Sequence, residues 1–207
     1  MSYRSAHEEL TAARARAWVS TALRGDFHGV HHPLGFVCLP LERTGGDGVC
    51  LHLWSRRLPG AGSTTSQIHC HSWDLVSHVL YGQVRNVHAV VTDTPAAEAT
   101  HQVFEVVSGD DGDRISPTPR TVRHSTGLVE VFGAGDTYTL PADSFHSSVV
   151  PEGGEAATIA LGSGRTGSRD LSLGPLGAPG HHVARRPLDD GERALAVQLV
   201  LTHLGGP

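Results

Sequence analysis

From Gly35 to Leu161 the hydrophobic positions recur in short runs of period two, the spacing of half-buried strands rather than of helices. Gly35 to Leu39 opens the series. Val49 to Arg56 alternates cleanly, with Cys50, His52, Trp54 and Arg56 on one face and Leu51, Leu53 and Ser55 on the other. A Gly/Ser/Thr loop from Gly60 to Ser66 leads into the run Gln67 to Gly82. Strand patterns follow over Gln83 to Val91 and, past a turn at Asp93-Thr94-Pro95, over His101 to Val107; Ser108 to Thr118 reads as a loop. Leu128 to Phe132 and Ala156 to Leu161 are the last strands expected, and 163–187 reads as an extended, Gly/Pro-rich surface connector. Helical spacing marks only the ends. Ser5-Ala6-His7-Glu8 has the form of a capping box, with Ala15, Trp18, Val19 and Ala22 behind it and Gly25 as a stop, which predicts a helix over 5–24. Asp189 and Glu192 open a second helix over 188–204, whose expected apolar stripe is Ala194, Val197, Leu201 and Leu204. The pattern predicts a single, mainly β domain: an antiparallel barrel over 35–162 with both helices packed outside it.

Composition narrows the chemistry. The 25 glycines and 12 prolines suit many strands joined by turns, and a net charge of −5 offers no general attraction to nucleic acid or an anionic membrane. No apolar run approaches a membrane span and no signal-peptide pattern opens the chain, so a cytoplasmic protein is expected. All 16 basic residues are arginines, which rules out Schiff-base, pyridoxal-phosphate and P-loop lysine chemistry. Cys38, Cys50 and Cys70 lack the paired spacing of a disulfide framework or zinc ribbon and read as reduced, mostly buried thiols. Of the 15 histidines, His31-His32, His181-His182 and His203 fall where no strand pattern runs and read as surface or packing residues. His78 reads as a packing residue too.

The run Gln67 to Gly82 carries the candidate site. Two residues apart on a strand, His69 and His71 share one face, with Cys70 on the other, and form two corners of a metal site. A third imidazole is available from His146, at the end of Gly135-Asp136-Thr137-Tyr138-Thr139-Leu140-Pro141-Ala142-Asp143-Ser144-Phe145-His146. Together the segments resemble the two motifs of the cupin superfamily. In the first, Gly62, His69, His71 and Gly82 match, with one extra residue after Gly62 and Leu75 at the glutamate position. In the second, Gly135, Pro141 and His146 match, while Asp143 replaces a glycine and Val150 an asparagine. The resemblance implies a cupin-type jelly-roll, a double-stranded β-helix, in which His69, His71 and His146 hold one divalent metal.

Three imidazoles suit Fe(II), the expected metal, but also Ni, Zn, Cu, Co or Mn. The missing glutamate makes the set similar to that of the thiol dioxygenases exemplified by cysteine dioxygenase, as does Ser66-x-Ile68-His69-x-His71. That likeness implies an enzyme that uses O2 to oxidise a small, carboxylate-bearing molecule held by an arginine, and the cupin resemblance together with the apolar terminal helices implies a homodimer. Arg56 and Arg85 are the candidates for that arginine and Ser77 is a further substrate-binding candidate. Since no cysteine follows Cys70, the family's cysteine–tyrosine crosslink cannot form downstream of the ligands. Asp74 is the nearest carboxylate: a ligand if a bulge re-aims it, or a residue that orients a ligand. The alternative is a non-redox isomerase, lyase or hydrolase drawing on Tyr81, Tyr138 or His88, or a binding protein without catalysis.

Overall fold

The computed structural model describes Ala15, Val19, Ser20 and residues 22–25, 27–109 and 111–205. Thirteen strands and one long helix occupy them: β1 (Val30–His32), β2 (Phe36–Thr44), β3 (Asp47–Trp54), β4 (His69–Cys70), β5 (Trp73–Tyr81), β6 (Gln83–Asp93), β7 (His101–Gly109), β8 (Gly112–Gly133), β9 (Thr137–Leu140), β10 (His146–Val149), β11 (Ala156–Gly164), β12 (Leu171–Gly174), β13 (His181–Val183) and α1 (Asp190–His203). They form two antiparallel sheets, one ordered β1-β2-β3-β11-β5-β9 and the other β13-β8-β6-β10-β4-β12-β7. The fold is the mainly β jelly-roll expected from the alternating pattern and the motifs.

The long β8 shapes the second sheet. It pairs with β6 along its C-terminal half and with β7 along its N-terminal half, so the sheet closes on itself. Inside that closure lies an apolar cluster of Cys70, Val103, Val122, Phe145 and Leu173. This is why Cys70 is buried although it points away from the side of His69.

The outer face of the first sheet (Val37, Leu39, Leu51, Leu53 and Ile159) is covered by α1 and by Ala15, Val19 and Leu23. Helix α1 starts as its sequence dictates, with Asp189 and Glu192 forming a reciprocal capping box. Its buried face differs from the expected stripe: Ala196, Leu199 and Val200 are buried, Val197, Leu201 and Leu204 flank them, and Ala194 is exposed. The helix meets a broad sheet rather than a narrow seam, so the stripe centres where burial is deepest. Ala15, Val19, Ser20 and Ala22 are helical. The remainder of the helix expected over 5–24, with its cap at Ser5 to Glu8, lies outside the described residues.

Three loop assignments are corrected. Ser108 to Thr118 is the tip and arm of the β7–β8 hairpin. The segment 163–187 is no free arm, because β12 pairs with both β4 and β7 and β13 edges β8. His31-His32 and His181-His182 lie in strands β1 and β13. His31 is buried, its ring bonded to the Pro59 carbonyl and to Glu192 of α1, and His32 stacks on Phe36.

Candidate metal centre

Strand pairing brings the two motif segments together. β10 lies between β4 and β6, with His146 directly opposite His69 on one side and His88 on the other. Directly opposed residues of an antiparallel pair face the same way, so the register that places His69 inside also places His146 there. His71 follows just past β4. The donor atoms of His69, His71 and His146 all lie within 4.8 Å of one another.

Hydrogen bonds aim these rings. The Nδ1 of His69 is 2.9 Å from the Gln67 carbonyl, and that of His146 is 2.9 Å from the Ser144 carbonyl. A carbonyl can only accept, so each Nδ1 carries the proton and each Nε2 keeps a free lone pair, the form a metal ligand needs. Burial, reinforced by the neighbouring imidazoles, draws His69 and His146 down to about 3 and holds His71 well below its ordinary value. All three rings are therefore neutral donors at physiological pH. Trp73 packs beside His71 at a centroid distance of 4.4 Å. Its indole lies over Gly162 of β11, where a Cβ would fall 2.4 Å from the ring.

The glutamate position is apolar in space as well as in sequence. Leu75 is buried with Val79, Tyr138 and Leu140. Asp74 points to the other face of β5 and binds the turn before His146: Oδ1 accepts from the Ala142 N–H at 2.9 Å, and Oδ2 pairs with Arg165 Nε at 2.8 Å. The Ala142 bond, with Arg165 adding to it, holds its carboxyl below the usual range. Asp74 is therefore no member of the histidine cluster, and direct ligation by it is corrected; it ties β5 to the segment that delivers His146. An Asp74→Ala variant is expected to lose about 1–2 kcal/mol of stability and roughly tenfold in metal affinity. Unchanged affinity in a metal titration would show that this turn needs no such tie.

Asp143 stands where the second motif has glycine, and its φ of 63° keeps the left-handed backbone that glycine would supply. Its N–H donates to the His71 carbonyl, and its carboxylate accepts from the Ser168 hydroxyl. The substitution thus preserves the turn.

The two candidate arginines are not at the centre. Arg56 lies in the turn after β3, 70% exposed and paired with Glu152. Arg85 is exposed on β6 between buried Val84 and Asn86, so the alternation that turns Asn86 inward turns Arg85 outward. Ser77, by contrast, faces the interior opposite Tyr138. Burial pushes the Tyr138 hydroxyl up, with Ser77 and Asn86 beside it pulling the other way. Apart from this nearness to the Tyr138 hydroxyl, Ser77 Oγ and Asn86 Nδ2 have no hydrogen-bond partner among the described residues, and neither has the buried Thr158 Oγ1. Sequence reasoning passed over Asn86 and Thr158, whose only signal was their place on inward-facing positions of strands. Close to His146, His88 Nε2 lies 2.8 Å from Glu130 Oε2.

No protein-family model matches the sequence, and a search of curated proteins finds no significant match. Among similar solved structures is an RmlC-like cupin from Shewanella frigidimarina, 16% identical with a TM-score of 0.35 over 64% of this chain and 79% of that one. Another is Fe(II) HppE, 12% identical with a TM-score of 0.34 over 61% of this chain and 49% of that one. L-ribose isomerase from Cellulomonas parahominis is 14% identical with a TM-score of 0.42 over 89% of this chain and 97% of that one. None of the three is described as a thiol dioxygenase, and at this distance they say nothing of activity. Two antiparallel sheets, with β4 and β10 paired at His69 and His146 and with His71 just past β4, give this chain a jelly-roll fold that gathers three histidines at one place.

Proposed function

We propose that the protein is a metal-dependent oxygenase in which His69, His71 and His146 hold one Fe(II) and O2 oxidises a small polar molecule. The observation that carries this reading is the convergence of three neutral imidazoles, two of them with Nδ1 fixed by a backbone carbonyl. The metal, when bound, supplies Lewis acidity and, as iron, activation of dioxygen. The chain does the rest. Ser77, Asn86 and Thr158 present buried polar atoms with donor or acceptor capacity to spare, and with Tyr138 they would bind the substrate's hydroxyl or carbonyl groups. Neither Arg56 nor Arg85 faces the centre, so in this reading the substrate's polar groups would be met by neutral donors rather than by either of these guanidinium groups. The apolar wall of Leu75, Val79 and Leu140 would exclude water from the remainder.

The test is metal analysis of freshly purified protein, followed by nitric oxide binding to the iron-loaded form. Stoichiometric iron and the paramagnetic resonance signal of a non-haem iron nitrosyl would establish iron with a position open to a diatomic gas. Firmly held zinc, with no nitrosyl signal after iron loading, would overturn the oxygenase. A second reading draws on the His88–Glu130 pair, which would serve proton transfer in an isomerase, lyase or hydrolase. Turnover unchanged under anaerobic conditions would favour it.

Homodimerisation belongs to the same proposal, but on a different surface from the terminal helices, since α1 covers its own sheet. The outer face of β8 leaves Val129 and Val131 about half exposed, at 45% and 53%. Light scattering is expected to give twice the chain mass, and a monomeric mass would remove this part. No helix among the described residues is long and apolar enough to cross a membrane.

A further inference from the structure

Strand β3 repeats on the first sheet what the histidine strand does on the second. Cys50 and His52 are two residues apart and share a face. In the β2–β3 register Cys38 stands directly opposite His52, and Pro40 opposite Cys50, so Cys38 turns to the same side. The two sulfurs and an imidazole nitrogen lie within 4.8 Å of one another. Zinc with bonds of about 2.3 Å to sulfur and 2.0–2.1 Å to nitrogen needs tetrahedral donors roughly 3.5–3.8 Å apart, within reach of small side-chain rotations.

We propose that Cys38, Cys50 and His52 form a second metal site, a thiolate-containing seat for a thiophilic cation, with zinc the expected occupant. The donors differ in kind from the three imidazoles, and softness sorts metals: thiolates favour Zn(II) and Cu(I) where neutral imidazoles with open positions suit iron. The contact between the two thiols draws Cys50 down to about 5 and, with burial, pushes Cys38 well up, so Cys50 supplies a thiolate and Cys38 would give up its proton on binding the metal. The imidazole of His52 packs against the rings of Phe36 and Trp54, at centroid distances of 4.5 and 6.0 Å, and lies beside Cys50, where it helps to draw that thiol down. Cys50 and His52 are half-buried, which leaves the cluster reachable by an ion. The site does not depend on the reading of the three histidines, and His52 lies near enough to His69 and His71 to act on both electrostatically.

The experiment is anaerobic titration of the full-length metal-free protein with Co(II) in a phosphine reductant. The native protein is expected to take up two equivalents and to show a thiolate-to-cobalt charge-transfer band in the near ultraviolet. His146→Ala should keep that band, which separates the site from the imidazole cluster. The double variant Cys38→Ser, Cys50→Ser should lose the band and keep one equivalent. Should the double variant fail to fold, Cys50→Ser alone, at a half-buried position, should weaken the band and the affinity behind it at least tenfold. Absence of the band in the native protein would overturn the proposal. So would a band of full strength in Cys50→Ser, since the thiolate behind it would then not need Cys50.

Discussion

Replacing His146 by alanine is expected to leave a folded barrel that no longer retains iron. The backbone of residue 146 keeps its pairings with His69 and His88 whatever its side chain. What is lost is one buried imidazole, at a cost of about 1–3 kcal/mol for the cavity and for the Ser144 carbonyl left without its donor. In a protein of this size that lowers Tm by roughly 2–10 °C. Metal retention falls much further. Structural zinc contributes about 10–16 kcal/mol over four ligands, so one ligand is worth roughly 3 kcal/mol, or a hundredfold and more in affinity. Iron content by elemental analysis, read beside a thermal melt, checks both halves. Stoichiometric iron in a folded His146→Ala would mean that the ligands lie elsewhere, whereas an unfolded variant would mean that the imidazole mainly serves packing.

The largest effect on stability is expected at Gly82. It joins β5 of one sheet to β6 of the other and is the single residue between them. Its φ is +77°, and a Cβ there would fall 2.0 Å from the Glu155 carbonyl oxygen and 2.7 Å from the Ala156 Cα. Both obstacles are backbone atoms at the start of β11, Glu155 just before it and Ala156 its first residue, and β11 is paired on its two edges with β3 and β5 and cannot retreat. Gly82→Ala should therefore cost about 3 kcal/mol or more, combining a left-handed alanine with a backbone clash. Gly62→Ala is the control. That motif glycine meets nothing within 4 Å, and its substitution should be nearly neutral. Urea unfolding of the two variants reads the difference directly, and equal midpoints would contradict the geometric account.

These two glycines show how far the motif could be read as chemistry. Gly82 matches the motif's position and Gly62 misses it by one residue, and of the motif glycines only Gly82 and Gly135, the latter at φ +95°, adopt a backbone that L side chains rarely share. The opposite lesson comes from Asp143, which departs from the pattern and still adopts the conformation. Residue type at a turn is a weaker statement than the dihedral angle it serves. Arg85 failed for a different reason. Its chemistry suits a carboxylate, but the face it occupies is set by its neighbours Val84 and Asn86, both buried.

Local periodicity determined which side chains travel together: His69 with His71, Cys50 with His52, and Asp189 with Glu192 at a helix start. Each of these is a relation across two or three residues, within the reach of strand alternation or one helical turn. The tertiary structure alone decided which pairs meet. It set His146 opposite His69 and Cys38 opposite His52, through ladders whose registers depend on the whole sheet. It also recruited β12 and β13, strands of four and three residues, out of a Gly/Pro-rich segment with no pattern of its own. So short a strand gains its stability from partners already in place, here β4, β7 and β8, and from closing the edge of a sheet that would otherwise leave its backbone groups unpaired.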